Sequence, residues 1–353
     1  METKMKNPLR FQVWMVLAIV FAVCSLSFAE EKIGIWKPTN LIGAHAPLAQ
    51  AVGPQGDVWA LLECPETVLS LVRSPDGGDS WTTVTHQIEY PLTYEGLLAV
   101  DLQNCAWVYT PQGGLSRFSP DGDLLTTTGL AISVPGHTCM VFSPDGYLYR
   151  IDGMDELDRI SVSGQVRTTP LGFPGERIWG LAVDPSGVLF TAGDSIRRSR
   201  DGGLNWERVF ECPLDDPLYY ISTTQDGAVY AVHPYGIRST DGGKTWESFG
   251  LPGLERPVWG LPDGSIVFAA TWEDPPNQHK FPLFRSWDKG NTWTEFLPGI
   301  TKADCRGGWV AGTYGERIVY AYFLFEDYNT NQHGLYRMLL PRRAAAKKNW
   351  IEY

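Results

Sequence analysis

Three short segments set an arginine two or three residues ahead of a tryptophan: Arg177-Ile-Trp179-Gly180, Arg256-Pro-Val-Trp259-Gly260 and Arg306-Gly-Gly-Trp309. A guanidinium is a planar fork of donors that matches a carboxylate, sulfate or phosphate through parallel hydrogen bonds. An indole offers an apolar face on which a sugar or an aromatic group stacks. Brought to one place, the three pairs would make a local positive spot with stacking walls on a chain whose net charge is −11. The same residues also have a structural reading. Trp-Gly can be core packing at the start of a strand, and the arginine can pair with a nearby aspartate.

Carboxylates are the second chemistry on offer, since a glycosidase needs two of them across a cleft. Glu95, Asp155, Glu156, Asp194, Asp215, Asp216, Glu273, Asp274, Glu326 and Asp327 all fall in expected loops. With 40 acidic residues in the chain, that number in loops is what chance provides. The chain has no Gly-x-Ser-x-Gly, no His-Glu-x-x-His and no phosphate-cradling glycine loop. Cys-x-x-Cys pairs and calcium-loop spacing are missing as well, so no metal and no cofactor is expected. The acidic balance argues against a nucleic-acid partner held through bulk charge.

The elements that would position these residues are read from turns. The chain holds 37 Gly and 25 Pro among 353 residues, with 14 Trp, 15 Tyr and 15 Phe. That surplus of turn-formers and aromatics favours many short strands over helices. One eight-residue pattern occurs four times: Ser74-Pro-Asp76-Gly-Gly-Asp-Ser-Trp81, Ser199-Arg-Asp201-Gly-Gly-Leu-Asn-Trp206, Ser239-Thr-Asp241-Gly-Gly-Lys-Thr-Trp246 and Ser286-Trp-Asp288-Lys-Gly-Asn-Thr-Trp293. Ser and Asp can bind the amides of their own turn, Gly supplies positive φ, and the Trp opens the next strand. A second repeat, two strands around a small polar turn, centres on Gly56, Asn104, Gly146, Gly187, Gly227, Gly264 and Gly315. Its spacing is close to the roughly 40–45-residue period of a four-stranded propeller blade. Seven turns predict seven blades of four antiparallel strands. Two have worn outer hairpins, at Ser119-Pro-Asp121-Gly and Ser161-Val-Ser163-Gly. Ring closure requires one terminus to supply the last outer strand, either Ile33–Lys37 or Asn349–Tyr353.

The eight-residue pattern resembles the Asp-box, or BNR repeat, of sialidase-like propellers. That superfamily includes sialidases, sortilin-type receptors and photosystem II assembly factors. The resemblance implies an all-β seven-bladed propeller in which Asp76, Trp81, Asp201, Trp206, Asp241, Trp246, Asp288 and Trp293 are structural. It also implies a ligand face opposite the boxes, where the Arg–Trp segments fall. A sialidase should carry Arg-Ile-Pro near its start, yet this chain has none and residues 39–47 contain no arginine. The expected role is therefore a non-catalytic binding or assembly platform for an anionic small molecule, a glycan or a protein. A sialidase-like glycoside hydrolase is the alternative.

Residues 1–29 read as a signal peptide: Lys4, Lys6 and Arg10, then an apolar run from Val13 to Val23, then Ser27-Phe28-Ala29 at the cut. The remaining 30–353 then form one domain with no membrane span, expected to be secreted or periplasmic and monomeric. That part holds five cysteines, an odd number spread too widely for a disulfide framework.

Overall fold

The computed structural model describes residues 36–43, 47–64, 68–89, 98–110, 114–130, 138–152, 156–213, 217–232, 235–251, 258–261, 264–269, 272–274, 278–280, 283–295, 305–314, 318–325 and 333–339. Among these residues the strands form seven four-stranded antiparallel sheets and a two-stranded ribbon, Trp272–Asp274 with Gln278–Lys280. In chain order the first six sheets open with the strands Pro47–Val52, Leu98–Val100, Thr138–Phe142, Ile178–Val183, Tyr220–Thr223 and Val258–Gly260. The seventh opens with Cys305–Tyr314.

Each opening strand packs on the opening strand of the next sheet through the sixth. Cys305–Tyr314 then touches Ile266–Ala269 of the sixth sheet and Pro47–Val52 of the first. The sheets thus close a circle with their first strands innermost. Hydroxyls help lock neighbours: Thr223 Oγ1 donates to the Val183 carbonyl at 2.6 Å, and Ser222 Oγ donates to that of Val258. Of the two closures the sequence allowed, the N-terminal one is observed. Trp36–Gly43 pairs with His333–Leu339 as the fourth strand of the seventh sheet. Residues 349–353 lie outside the described residues.

Burial follows radius. The second strand of the fourth sheet, Leu189–Gly193, and that of the fifth, Val229–Val232, are buried at every residue. Leu-Phe-Thr-Ala-Gly and Val-Tyr-Ala-Val carry no charged residue, as strands covered on two faces require. The fourth strands are largely exposed, as in Val166–Pro170 and Glu207–Glu211. The apolar core lies between neighbouring sheets. One cluster joins Trp59 and Leu61 of the first sheet to Trp107 and Val108 of the second. Another joins Phe190 and Ile196 of the fourth to Val229 and Ile237 of the fifth.

The turns behave as their residue types demand. In six first-to-second-strand turns the same pair of backbone bonds recurs, for example Gly187 N to Asp184 O and Asp184 N to Val188 O, both 2.9 Å. The turn residue carries positive φ, which Gly adopts freely; Asn104 takes it at 63° in the second sheet. The turn at Gly315 lies outside the described residues.

The four Ser-x-Asp hairpins link third to fourth strands and share one hydrogen-bond scheme. In the fifth sheet Ser239 Oγ donates to Asp241 Oδ1 at 2.8 Å and accepts from Gly243 N at 2.8 Å. Asp241 also accepts from Thr245 N at 2.9 Å and Thr245 Oγ1 at 2.7 Å. Asp76, Asp201 and Asp288 accept the equivalent bonds from Ser80, Asn205 and Thr292. These bonds hold the Asp241 carboxyl below its ordinary range, the bond from Thr245 N foremost, and Asp201 down to about 2, the Asn205 side chain foremost. The hairpin tryptophans reach back to the preceding sheet: Trp246 lies 6.0 Å from Phe210, and Trp293 lies 6.4 Å from Phe249. In the worn hairpins the serine still closes the turn. Ser119 Oγ accepts from Asp123 N, and Ser161 Oγ accepts from Gln165 N.

An arginine at the end of the third strand completes the join. Buried Arg238 donates to Glu247 within its own sheet at 2.8 Å. It also reaches the Lys289 carbonyl and Asn291 Oδ1 of the sixth sheet's hairpin. Arg198 reaches the Gly242 carbonyl of the fifth sheet in the same way. Arg337 of the seventh sheet donates to Gly77 O at 2.6 Å and Asp79 Oδ1 at 2.7 Å in the first, across the closure.

Candidate functional site: the face opposite the hairpins

Strands alternate in direction, so the Ser-x-Asp hairpins share a face with the first-to-second-strand turns. Segments leading into each first strand gather on the other face, with the links between second and third strands. Much of that second face lies outside the described residues. At the fourth sheet it is described in full detail.

Arg177 directly precedes the strand Ile178–Val183. Gly193 and Asp194 make the tight link from second to third strand. Gly193 has no room for a side chain, because a Cβ there would stand 1.8 Å from the Arg177 carbonyl oxygen. That approach lets Asp194 grip Arg177 three ways: Oδ2 accepts from the backbone N at 2.8 Å, and Oδ1 from Nε at 2.9 Å and from the terminal nitrogen at 2.8 Å. The pair stays wet, with the Arg177 side chain 42% exposed. Trp179 occupies a bulge, since Ile178 pairs with Gly193 and Gly180 with Ala192. A bulge re-aims its side chain; the half-buried Trp179 ring lies 4.9 Å from Tyr219 at 36°. The Cys139 thiol donates to the Trp179 carbonyl at 3.1 Å.

Toward the rim Glu176 collects three donors: Ser195 Oγ at 2.8 Å, Arg197 at 2.5 and 3.0 Å, and Arg208 at 2.5 Å. The bonds from Arg197 lead in pulling its carboxyl down to about 2. Arg197 also lies over the Phe173 ring at 4.0 Å. Three guanidiniums thus stand beside Glu176, Asp194 and Glu211. The patch is an ordered lattice of opposite charges beside an aromatic pair. Cys212 donates to the Gly193 carbonyl at 3.2 Å, and burial pushes its thiol up, away from reactivity. Cys105, Cys139 and Cys212 are free thiols.

Of the residues singled out from sequence, Arg177 and Trp179 sit together at this place. Trp259 lies in the strand Val258–Gly260 opposite Val267, two sheets further round. Arg256 lies outside the described residues. Arg306 and Trp309 fall within the seventh sheet's first strand, Cys305–Tyr314, which bulges between Cys305 and Gly308. Arg177 takes the aspartate partner that the structural reading allowed for, and Asp194 was among the loop carboxylates. Glu176 and Arg208 were missed. Glu176 stands directly beside Arg177 in the sequence, which was a usable signal, but its partners are 19 to 32 residues away.

No protein-family model matches the chain, and no curated protein matches it in sequence. Solved structures do resemble it. Virginiamycin B lyase from Staphylococcus aureus aligns at 15% identity and a TM-score of 0.59, over 86% of this chain and 98% of that one. A streptogramin B lyase aligns at 14% and 0.61, over 86% and 97%. YCF48 bound to a D1 peptide aligns at 14% and 0.53, over 88% and 100%. At such identities the likeness defines a class by fold, the β-propeller, and nothing finer.

Proposed function

We propose that the chain is a secreted or periplasmic, non-catalytic binding platform. In this reading it is a seven-bladed propeller of the BNR type, released from a signal peptide at residues 1–29, that takes a protein segment on the face opposite its Ser-x-Asp hairpins. The observation that carries the reading is the joint at Arg177. A half-exposed guanidinium gripped by Asp194 and an indole packed beside Tyr219 both stand at the start of a rigid inner strand. Rigid elements with adaptable polar groups at their ends suit recognition. Asp194 orients the Arg177 fork, and Trp179 with Tyr219 gives an apolar shelf for a partner side chain. In this reading the other candidates from the sequence, Trp259, Arg256, Arg306 and Trp309, belong with Arg177 to one mouth on that face. A fold neighbour that binds a peptide adds support for a protein partner. Seven sheets of four among the described residues and the shared hydrogen-bond scheme of the four hairpins support the BNR assignment.

The test is fluorescence anisotropy with labelled acidic, neutral and basic peptides, with chromogenic glycosides run in parallel. The acidic set should bind, and Arg177→Ala combined with Arg306→Ala should abolish that binding while the thermal transition stays cooperative. Trp179→Ala should weaken it alone. Binding that survives the double substitution removes the mouth from the reading. Turnover of a glycoside replaces the platform with the hydrolase.

A further inference from the structure

At four joints of the ring an arginine on a third strand reaches a backbone carbonyl of the next sheet's hairpin: Arg73 to Pro120, Arg198 to Gly242, Arg238 to Lys289 and Arg337 to Gly77. Across its own sheet the third-strand arginine faces a fourth-strand residue. In five sheets that residue is neutral or acidic: Thr82, Thr126, Glu207, Glu247 and Thr294. In the seventh it is Lys37, and Arg337 there gives its donors to Gly77 and Asp79.

The third sheet departs on both counts. Arg159 stands opposite Arg167, and like charges directly opposed across two strands destabilise the pair. Arg159 also stays within its own sheet. Its terminal nitrogen donates to Asp145 at 3.1 Å, its guanidinium lies 3.6 Å from the centre of the Tyr147 ring, and its Nε has no acceptor. Exposed Arg167 takes part in no ion pair among the described residues. Between these arginines and the next hairpin a cleft is left. Arg159, Arg167 and Thr169 line it from the third sheet, and Asp201, Gly202 and Leu204 from the fourth sheet's hairpin. The Tyr149 hydroxyl lies beside it, 3.0 Å from where a Cβ on Gly202 would stand. Asp201 spends its carboxyl on its own hairpin, accepting from Ser199, Leu204 and Asn205.

We propose that this cleft binds a tetrahedral oxyanion, phosphate or sulfate, between Arg159 and Arg167. An anion placed between two guanidiniums turns their repulsion into two charge-assisted pairs. Thr169 and Tyr149 add hydroxyl donors. The fourth and fifth sheets supply the negative charge from their own fourth strands, as Glu207 and Glu247. In the third sheet Arg167 holds that place, and the charge comes from a ligand. The site lies on the hairpin side of the ring, expected from the sequence to be structural, and does not depend on the reading of the Arg177 mouth.

Isothermal titration with inorganic phosphate, sulfate and glycerol phosphate, at an ionic strength matched with sodium chloride, is the test. Phosphate and sulfate should each saturate one site. Tighter binding of glycerol phosphate would assign the anion to a phosphorylated small molecule, and equal binding to the free ion. Arg167→Glu gives the third sheet the Arg–Glu pairing of the fourth and fifth. It should weaken binding by about tenfold or more and raise the unfolding midpoint in phosphate-free buffer. Arg177→Ala combined with Arg306→Ala should retain the binding, which separates this cleft from the mouth. A titration with no saturable heat overturns the proposal. Binding that survives Arg167→Glu, or that is lost in the Arg177→Ala, Arg306→Ala variant, overturns it equally.

Discussion

Glu176 shows how one side chain can tie a rim together. Its carboxyl is held near 2 against an ordinary 4.5, first by hydrogen bonds from Arg197 and then with help from Ser195 and Arg208. A group whose folded pKa is depressed stabilises the fold above its unfolded value and loses that contribution as pH falls through the folded one. The stabilisation from Glu176 should therefore be complete above about pH 4.5 and fade toward pH 2. Glu176→Gln should be less stable than wild type at pH 7. The gap between the two urea midpoints should close as the pH is lowered across that window; a constant gap would mean that Glu176 acts by shape alone. Lys289 makes the opposite case. It sits at φ 62° where the other three hairpins place Gly77, Gly202 and Gly242. The left-handed region costs a residue with a Cβ roughly 1–2 kcal/mol. What Lys289 offers in return is an exposed ion pair with Asp226 at 2.9 Å, worth at most about 1 kcal/mol. Lys289→Gly should raise stability by about 0.5–1 kcal/mol, read from the shift in unfolding midpoint.

Between elements, the decisive contacts link residues that lie apart in the sequence. Gly193 is one such point, where the second strand passes the Arg177 carbonyl with no space for a methyl group. Gly193→Ala must push the two chains apart, at a cost of about 1–3 kcal/mol. It should also loosen Asp194 from Arg177, so peptide binding should fall together with the melting temperature. Normal stability in this variant would show that the joint is softer than its geometry. Such points explain what the sequence did and did not reveal. The turns were legible because their chemistry is local: Gly187 N donates to the Asp184 carbonyl three residues back, and Asp184 N donates to that of Val188. The hairpins were legible for the same reason. The role of Arg198 and Arg238 in joining sheets was not, although their place before each serine was visible, because their acceptors in the next sheet stand 44 to 53 residues further along. The site divides likewise. Trp179 and Arg177 could be picked out by spacing, whereas the charge balance of the patch depends on Glu176, from the segment ahead of one strand, meeting Arg197 and Arg208 of two others.

At the scale of the whole molecule, the ring is held by a strand from one end of the chain and three from the other. Trp36–Gly43 covers the edge of His333–Leu339, and Arg337 bridges from the seventh sheet to the first sheet's hairpin. Removing residues 36–43 would bare a strand edge and leave the seventh sheet with three strands. The variant should lose cooperativity, with exchange in 305–339 speeding up well before exchange in 178–249. A single sharp transition, unchanged from wild type, would mean that the remaining sheets close without that strand.

The same arrangement sets a clock on biosynthesis. Gly43 pairs with His333, so about 290 residues must be made between one half of the clasp and the other. At about 5–20 residues per second a ribosome needs roughly 15–60 s to cover that distance. For all of that time the earliest strand has nowhere to go. A permuted gene that began at residue 47 and placed 36–43 after residue 339 would deliver its clasp when it is needed.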